Sequence, residues 1–377
     1  MSGLNGLYIH IPFCRQRCDF CSFYLELYRD QAATAFLSAL QIEIGIYAQR
    51  EEMQGRPFQS VYFGGGTPTV LGAPRLIGML ENVRTAFELS GRCEVTVEAH
   101  PGTVSKQDLR ALAEAGVTRI SFGAESMQDH ELALIGRPGA ACETVTAVLH
   151  AREAGFADIN LDLMYGLPDQ SLDSWRQSLE RCVEMSPTHL SCYALTIESG
   201  TRLAHNISTH SRPALDEELQ VAMDEAAQEI LSRAGYERYE ISNYAMAGHE
   251  CRHNLLYWTQ GEYLGLGPSA QSLWNGARFG NVANLSAYQT ALAGRRLPLS
   301  DRAVLSEEER LRDAVIFGLR LIRGIPAQHL HNHGMNYGHE ITIEELRRDQ
   351  LIEQDESTMR LTVKGRRYAD HVAEKLF

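Results

Sequence analysis

Apolar residues recur along the first two-thirds of the chain in two alternating patterns. Short runs rich in β-branched and aromatic residues occupy 7–11 (LYIHI), 60–65 (SVYFGG), 94–99 (EVTVEA), 119–124 (RISFGA), 158–166 (DINLDLMYG) and 189–197 (HLSCYALTI), and predict strands. Between them, helical patterns cover 30–52, 72–88, 105–115, 142–154 and 171–185, with one more near 215–234. Strand–helix alternation at this spacing predicts βαβ units and an α/β fold with a parallel sheet. Six repeats suit a partial or open barrel better than a flat doubly wound sheet.

In barrel architectures chemistry gathers at the C-terminal ends of the strands. Those ends carry Gly64-Gly65-Gly66-Thr67-Pro68, Glu98-Ala99-His100-Pro101, Gly123-Ala124-Glu125-Ser126, Asp162 and Gly166-Leu167-Pro168. Several such ends in register predict a site. After about residue 235 the rhythm changes: YERYEISNYA reads as one more strand, followed by the Gly-rich aromatic stretch HNLLYWTQGEYLGLGPSAQSLW. The chain then turns mainly helical, with Ser306 and Glu309 spaced as a capping box. The expected organisation is therefore 1–235 as a barrel with a loop at 10–24, 236–300 as its extension, and 301–377 as a mainly helical domain. Its last segment reads helix, hairpin, helix, a winged-helix-like order better suited to packing or a partner surface than to DNA.

The net charge of −13 argues against nucleic-acid binding. No apolar run reaches the roughly 18 residues that a membrane span needs. The start MSGLNGLYIHIPF is unlike a signal peptide, so a cytoplasmic location is expected. In that compartment eight cysteines are not a disulfide framework. Cys93, Cys142, Cys182, Cys192 and Cys251 are scattered, and read as small buried hydrophobes.

Cys14, Cys18 and Cys21 stand apart, spaced C-x3-C-x2-C in one loop. Thiolates that close converge on a soft-metal centre, zinc or iron–sulfur. Structural zinc takes four protein ligands; here three are evident, with His10 a distant candidate for the fourth. A cubane on three cysteines leaves one iron open.

The stretch YIHIPFCRQRCDFC, Tyr8 to Cys21, resembles the signature of the radical S-adenosylmethionine superfamily. The resemblance implies a partial (β/α)6 barrel. It also implies a [4Fe–4S] cluster on Cys14, Cys18 and Cys21 whose fourth iron chelates S-adenosylmethionine. By the same resemblance Gly65, Gly66 and Thr67 form the loop that meets the methionine amino group. Glu98, Glu125, Arg137 and Asp162 become the polar contacts of the cofactor, and Tyr8 and Phe20 flank the cluster. Three positions depart from the family pattern: Glu125 replaces Gln, His100 replaces Asn or Asp, and Gly139 replaces His.

The segments INLDLMYGLPDQS, SCYALTIESGT, YEISNYA and GLGPSAQS resemble oxygen-independent coproporphyrinogen III oxidases and their relatives, the HemW-type haem chaperones. Three features favour the chaperone branch. The oxidases' further cysteine is Phe23 here, their long segment before the cluster loop has no room, and HNLLYW (His253–Trp258) resembles the chaperones' H-N-x-x-Y-W motif. That branch implies haem as ligand, with His253 its expected contact, and haem-accepting respiratory proteins as partners, met transiently at the membrane surface; it admits a homodimer. Gln271 stands where relatives carry His. The competing expectations are a true oxidase, decarboxylating coproporphyrinogen III by radical chemistry, and a non-catalytic zinc protein.

Overall fold

The six apolar runs form the strands β1 (Asn5–Ile11), β2 (Phe58–Gly65), β3 (Leu89–Ala99), β4 (Arg119–Glu125), β5 (Asp158–Tyr165) and β6 (His189–Ala194). In the computed structural model, which describes residues 4–209, 211, 216–327 and 337–377, they lie parallel and in sequence order, each bonded to the next. Helices α1 (Asp30–Ala48), α2 (Ala73–Ala86), α3 (Lys106–Glu114), α4 (Ala141–Glu153), α5 (Leu172–Glu184) and α6 (Glu217–Arg233) follow the strands.

Side chains alternate across a strand, and here the alternation separates two chemistries. One face carries Leu7, Ile9, Val61, Phe63, Val95, Val97, Ile120, Phe122, Leu161 and Leu163, which join helix residues in the main core. The other face carries Tyr8, His10, Ser60, Tyr62, Thr96, Glu98, Ser121, Asn160, Asp162 and His189. Its polar groups are bonded across strands, as His189 Nδ1 is to Asn160 Oδ1 at 2.6 Å. A sheet whose second face is polar needs something other than a hydrophobic layer against it.

Several boundaries differ from expectation. Helix α1 stops at Ala48, and Glu51–Met53 is a separate 3-10 turn. Strand β6 ends at Ala194: the Leu195 amide makes the last bond to β5, donating to Tyr165 O at 2.8 Å, while its carbonyl turns to accept from Gln220 Nε2 at 3.0 Å. YERYEISNYA is not one strand but two short antiparallel pieces, Glu237–Arg238 and β7 (Asn243–Ala245), which extend the sheet beyond β6.

The stretch that read as Gly-rich holds a short helix, α7 (Arg252–Trp258), and a seventh parallel strand, β8 (Glu262–Leu266), paired with the free side of β1. Its strand signal is broken by glycines that the packing requires. At Gly267, φ is +93°, and a Cβ would lie 2.3 Å from the His10 carbonyl oxygen. Antiparallel strands Gln271–Trp274, Ala277–Asn281 and Leu299–Val304 complete a twelve-stranded sheet. Its two ends are different strands, so the barrel is open.

Beyond it, α8 (Glu307–Gly318) begins with the expected capping box. A three-stranded sheet of Ile325–Pro326, Ile352–Gln354 and Thr358–Leu361 then packs with helices Tyr337–Arg348, Val363–Arg367 and Ala369–Leu376. The order helix, hairpin, helix is as read, on a small core of its own that includes Val315, Leu346, Met359 and Val372. No described helix is long and apolar enough to cross a membrane.

Candidate cofactor site

The loop between β1 and α1 is held by its own side chains. Arg17 Nη1 donates to the carbonyls of Cys21 (3.2 Å) and Phe23 (3.4 Å), and Nη2 to that of Leu25 (3.4 Å). The Asp19 amide donates to Ile135 O at 2.9 Å, docking the loop beside Arg137. Cys14, Cys18 and Cys21 then line one cavity of about 370 Å³ with Gly65, Gly66, Thr67 and Arg137. Burial pushes the Cys14 and Cys18 thiols up; the Thr67 hydroxyl, 3.4 Å from Cys14 Sγ, and Arg137 Nη1, 3.7 Å from Cys18 Sγ, oppose that rise.

Among the described residues, no three His, Cys, Asp or Glu side chains are grouped to hold a single metal ion. The thiols surround a space instead. A multi-iron cluster, which takes one thiolate per iron, suits that donor set better than one tetrahedral zinc. His10 is not with them: its Nδ1 lies 3.3 Å from the Tyr8 hydroxyl and its Nε2 3.4 Å from Tyr24 O.

The glycine loop leaves β2 directly beneath the cysteines. The Gly66 amide donates to Ile11 O at 2.9 Å and the Thr67 amide to Phe13 O at 2.7 Å. Gly65 has φ +109° and packs on the His10 ring, where a Cβ would come within 2.7 Å. Its amide donates to Glu98 Oε2 at 3.1 Å, while the Tyr62 hydroxyl donates to Oε1 at 2.8 Å.

Glu98, Glu125 and Asp162 converge on an adjoining cavity of about 490 Å³, which shares Gly66, Thr67, Glu125 and Arg137 with the first. Burial pushes Glu98 and Glu125 up to about 7, and their mutual repulsion with Asp162 adds to it. Asp162 is also raised by burial, against bonds from Ser121 Oγ (2.9 Å) and Asn160 Nδ2 (2.8 Å). Arg137 is the cation among them, 3.5 Å from Glu125 Oε1, with Nη2 donating to Gly123 O. Glu125 has φ 62°, a left-handed conformation that costs a non-glycine residue energy and clusters at functional sites. Three acids and one arginine in a buried space leave an excess of negative charge, which suits a cationic ligand.

Of the sequence-predicted residues, the three cysteines, Phe20, Gly65, Gly66, Thr67, Glu98, Glu125, Arg137 and Asp162 are brought to these two cavities. Tyr8 is not. It lines a third space of about 370 Å³ with Tyr24, Tyr257 and Tyr263, which touches the others through Gly65, Glu98 and Phe23. Gly166 and Leu167 line none of these spaces: the Gly166 amide donates to Met223 Sδ, and Leu167 is buried with Ile135, Met164 and Leu195.

His253 lies under the site, 1% exposed, and lines none of the three spaces. Its Nδ1 is 2.8 Å from Ser60 Oγ and its Nε2 2.9 Å from the Tyr257 hydroxyl. Burial lowers its pKa to about 3. Both ring nitrogens are thus bonded within the protein in this arrangement.

Lining residues outside the expected set include Tyr62, Tyr193 and His100. Tyr62 and Tyr193 sit on the polar face of their strands, in phase with Gly64 and Ser191, a signal present in the sequence. His100 stands in a strand end that predicts a site and departs from the family pattern, but carried no assigned contact. It caps the turn Pro101–Thr103, with Nδ1 accepting from the Gly102 amide (3.0 Å) and Nε2 2.9 Å from Pro138 O.

The radical SAM superfamily pattern matches residues 8–182, and that of the HemN C-terminal domain residues 305–368. The fold is similar to that of coproporphyrinogen III oxidase (HemN) from Escherichia coli, with a TM-score of 0.87, 24% identity, and coverage of 100% of this chain and 90% of that one. At that identity the likeness speaks for the fold alone. Heme chaperone HemW of Mycobacterium tuberculosis is 33% identical over 374 residues, 98% of this chain and 94% of that protein. Heme chaperone HemW of Bacillus subtilis is 32% identical over 379 residues, 98% of each. The Escherichia coli protein of the same name is 38% identical over 272 residues, 70% of this chain and 69% of its own.

The chain is a radical SAM protein, a class that implies a [4Fe–4S] cluster and S-adenosylmethionine. Within that superfamily it belongs to the family of HemW haem chaperones.

Proposed function

We propose that this protein binds haem and hands it to haem proteins of respiration, while carrying a cluster on Cys14, Cys18 and Cys21. The observation that carries the reading is similarity to HemW proteins over 98% of the chain. Phe23, 67% exposed where the oxidases have a further cysteine, points the same way.

The cluster, when bound, supplies one-electron chemistry and an iron free to hold S-adenosylmethionine. This chain's own groups prepare the place. Gly65, Gly66 and Thr67 bring backbone close to the ligand, and Glu98, Glu125 and Asp162 set a negative field for its sulfonium and ammonium groups. Arg137 balances Cys18 and Glu125, which leaves it only in part available to a carboxylate. The tyrosine-lined space beside Glu98 offers flat aromatic surface to one edge of a porphyrin. In that arrangement Tyr257, rather than His253, is the part of the HNLLYW motif that faces the ligand.

The test uses one anaerobically reconstituted sample in two assays. Saturable haem uptake with no turnover of coproporphyrinogen III is expected. Decarboxylation of coproporphyrinogen III would replace the chaperone reading with the oxidase.

A further inference from the structure

The HNLLYW helix α7 crosses under the sheet at β1 and β2, and its histidine is built into the polar face. The His253 ring stacks on the Tyr62 ring at 5.0 Å between centroids and 27° between planes. Tyr62 in turn stacks on Tyr8, its register partner on β1, at 6.1 Å and 30°. The ring of His253 cannot rotate without breaking bonds on both sides, to Ser60 Oγ and to the Tyr257 hydroxyl. Its backbone amide is also fixed, donating to the buried Glu94 carboxylate at 3.3 Å.

Tyr62 ends on Glu98, and Glu98 ends on the Gly65 amide. The packing leaves no slack: a Cβ at Gly64 would lie 2.9 Å from Tyr62 Cε1 and 3.0 Å from Glu98 Oε2. A continuous path of direct contacts therefore runs His253, Tyr62, Glu98, Gly65, from the motif to the loop that lines the cysteine cavity.

We infer that His253 is a positioning residue for the cofactor site: its locked ring fixes Tyr62, which holds Glu98 and through it the Gly65 amide in the geometry that receives S-adenosylmethionine. Removing the ring frees Tyr62 to swing, and Glu98 then loses the hydrogen bond that aims it. The motif's histidine serves the cofactor cavity, while its tyrosine faces the neighbouring space. This rests on the reading of the cysteine-lined cavity as the S-adenosylmethionine site.

The experiment is a double-mutant cycle on the cluster-loaded protein, with His253→Gln, Tyr62→Phe and the pair. His253→Gln keeps an amide for Ser60 or Tyr257 but has no ring to stack; Tyr62→Phe removes only the hydroxyl. Two readouts are used: S-adenosylmethionine affinity by titration, and the change that S-adenosylmethionine causes in the electron paramagnetic resonance of the reduced cluster. Each single variant is expected to weaken binding about tenfold, the scale of one hydrogen bond to a charged group. The pair is expected to be no worse than Tyr62→Phe, with haem uptake retained in all three.

Additive losses would overturn the inference, because His253 would then act independently of Tyr62. Unchanged affinity in His253→Gln would overturn it too, as would loss of haem uptake alone. Should His253→Gln fail to take up its cluster, His253→Phe, which restores a stacking ring, decides: recovery of cluster and binding supports the path, and no recovery contradicts it. If the unsubstituted protein binds no S-adenosylmethionine, it is the site reading that fails.

Discussion

The Tyr62 hydroxyl donates to Glu98 Oε1 at 2.8 Å, and the Gly65 amide reaches the other oxygen of the same carboxyl at 3.1 Å. Strand and loop thus share one acid, which burial and two neighbouring acids push up to about 7. A cationic ligand favours the ionised form. S-adenosylmethionine affinity should therefore rise with pH through about 7 and level off above it. Glu98→Gln should lose about tenfold or more in affinity and flatten that slope, read by titration of the cluster-loaded protein across pH.

The same acids act on stability with the opposite sense. Glu98 and Glu125, ordinarily near 4.5 and raised to about 7, hold more protons folded than unfolded within that window. The free energy of unfolding from these two groups thus falls as pH rises through the window and is flat beyond it. Urea melts of the ligand-free protein should show this fall, and Glu98→Gln combined with Glu125→Gln should reduce it. An identical pH dependence in that double variant would contradict the assignment.

Most of this fold was legible because its strands obey a period of two while its helices do not. The polar half of each strand was legible as well: Ser60, Tyr62 and Gly64 alternate with Val61 and Phe63, and Glu98 with Val97. Read together, those positions already mark a sheet face that does not pack on apolar residues. What was hidden depends on partners distant in sequence. Strand β8 was masked by glycines needed for close approach, and the burial of His253 depends on Ser60 and Tyr62, which lie some 190 residues earlier. A motif can name a histidine without saying which way its ring faces.

Arg137 and Glu125 form a pair 3.5 Å apart, each side chain 13% exposed. Arg137→Met leaves Glu125 buried without its cation, at a cost of about 3 kcal/mol. Because Glu125 can take up a proton instead, the loss should be larger above its raised pKa than below it. Adding Glu125→Met should recover most of the stability in urea melts. A double variant as unstable as the single one would show that Arg137 matters through Cys18 and Gly123 instead.

Glu43, fully buried in α1, accepts from the Gly267 amide (2.8 Å), Asn281 Nδ2 (2.6 Å) and the Tyr288 hydroxyl (2.6 Å). It ties the first helix to the turn after β8. Glu43→Ala orphans three donors and opens a cavity, so a loss of about 3 kcal/mol or more is expected. The check is a thermal melt, in which Tyr288→Phe should cost less because it removes one of the three.

The measurement that bears most directly on the central claim is an equilibrium haem titration of the anaerobically reconstituted protein, followed by the absorption of bound haem. Saturation at a fixed stoichiometry, reached in His253→Gln as in the unsubstituted chain and lost when Gln271→Trp fills the tyrosine-lined space that Gln271 also borders, is the result expected. Haem absorption that never saturates, with the cluster intact, would contradict the account.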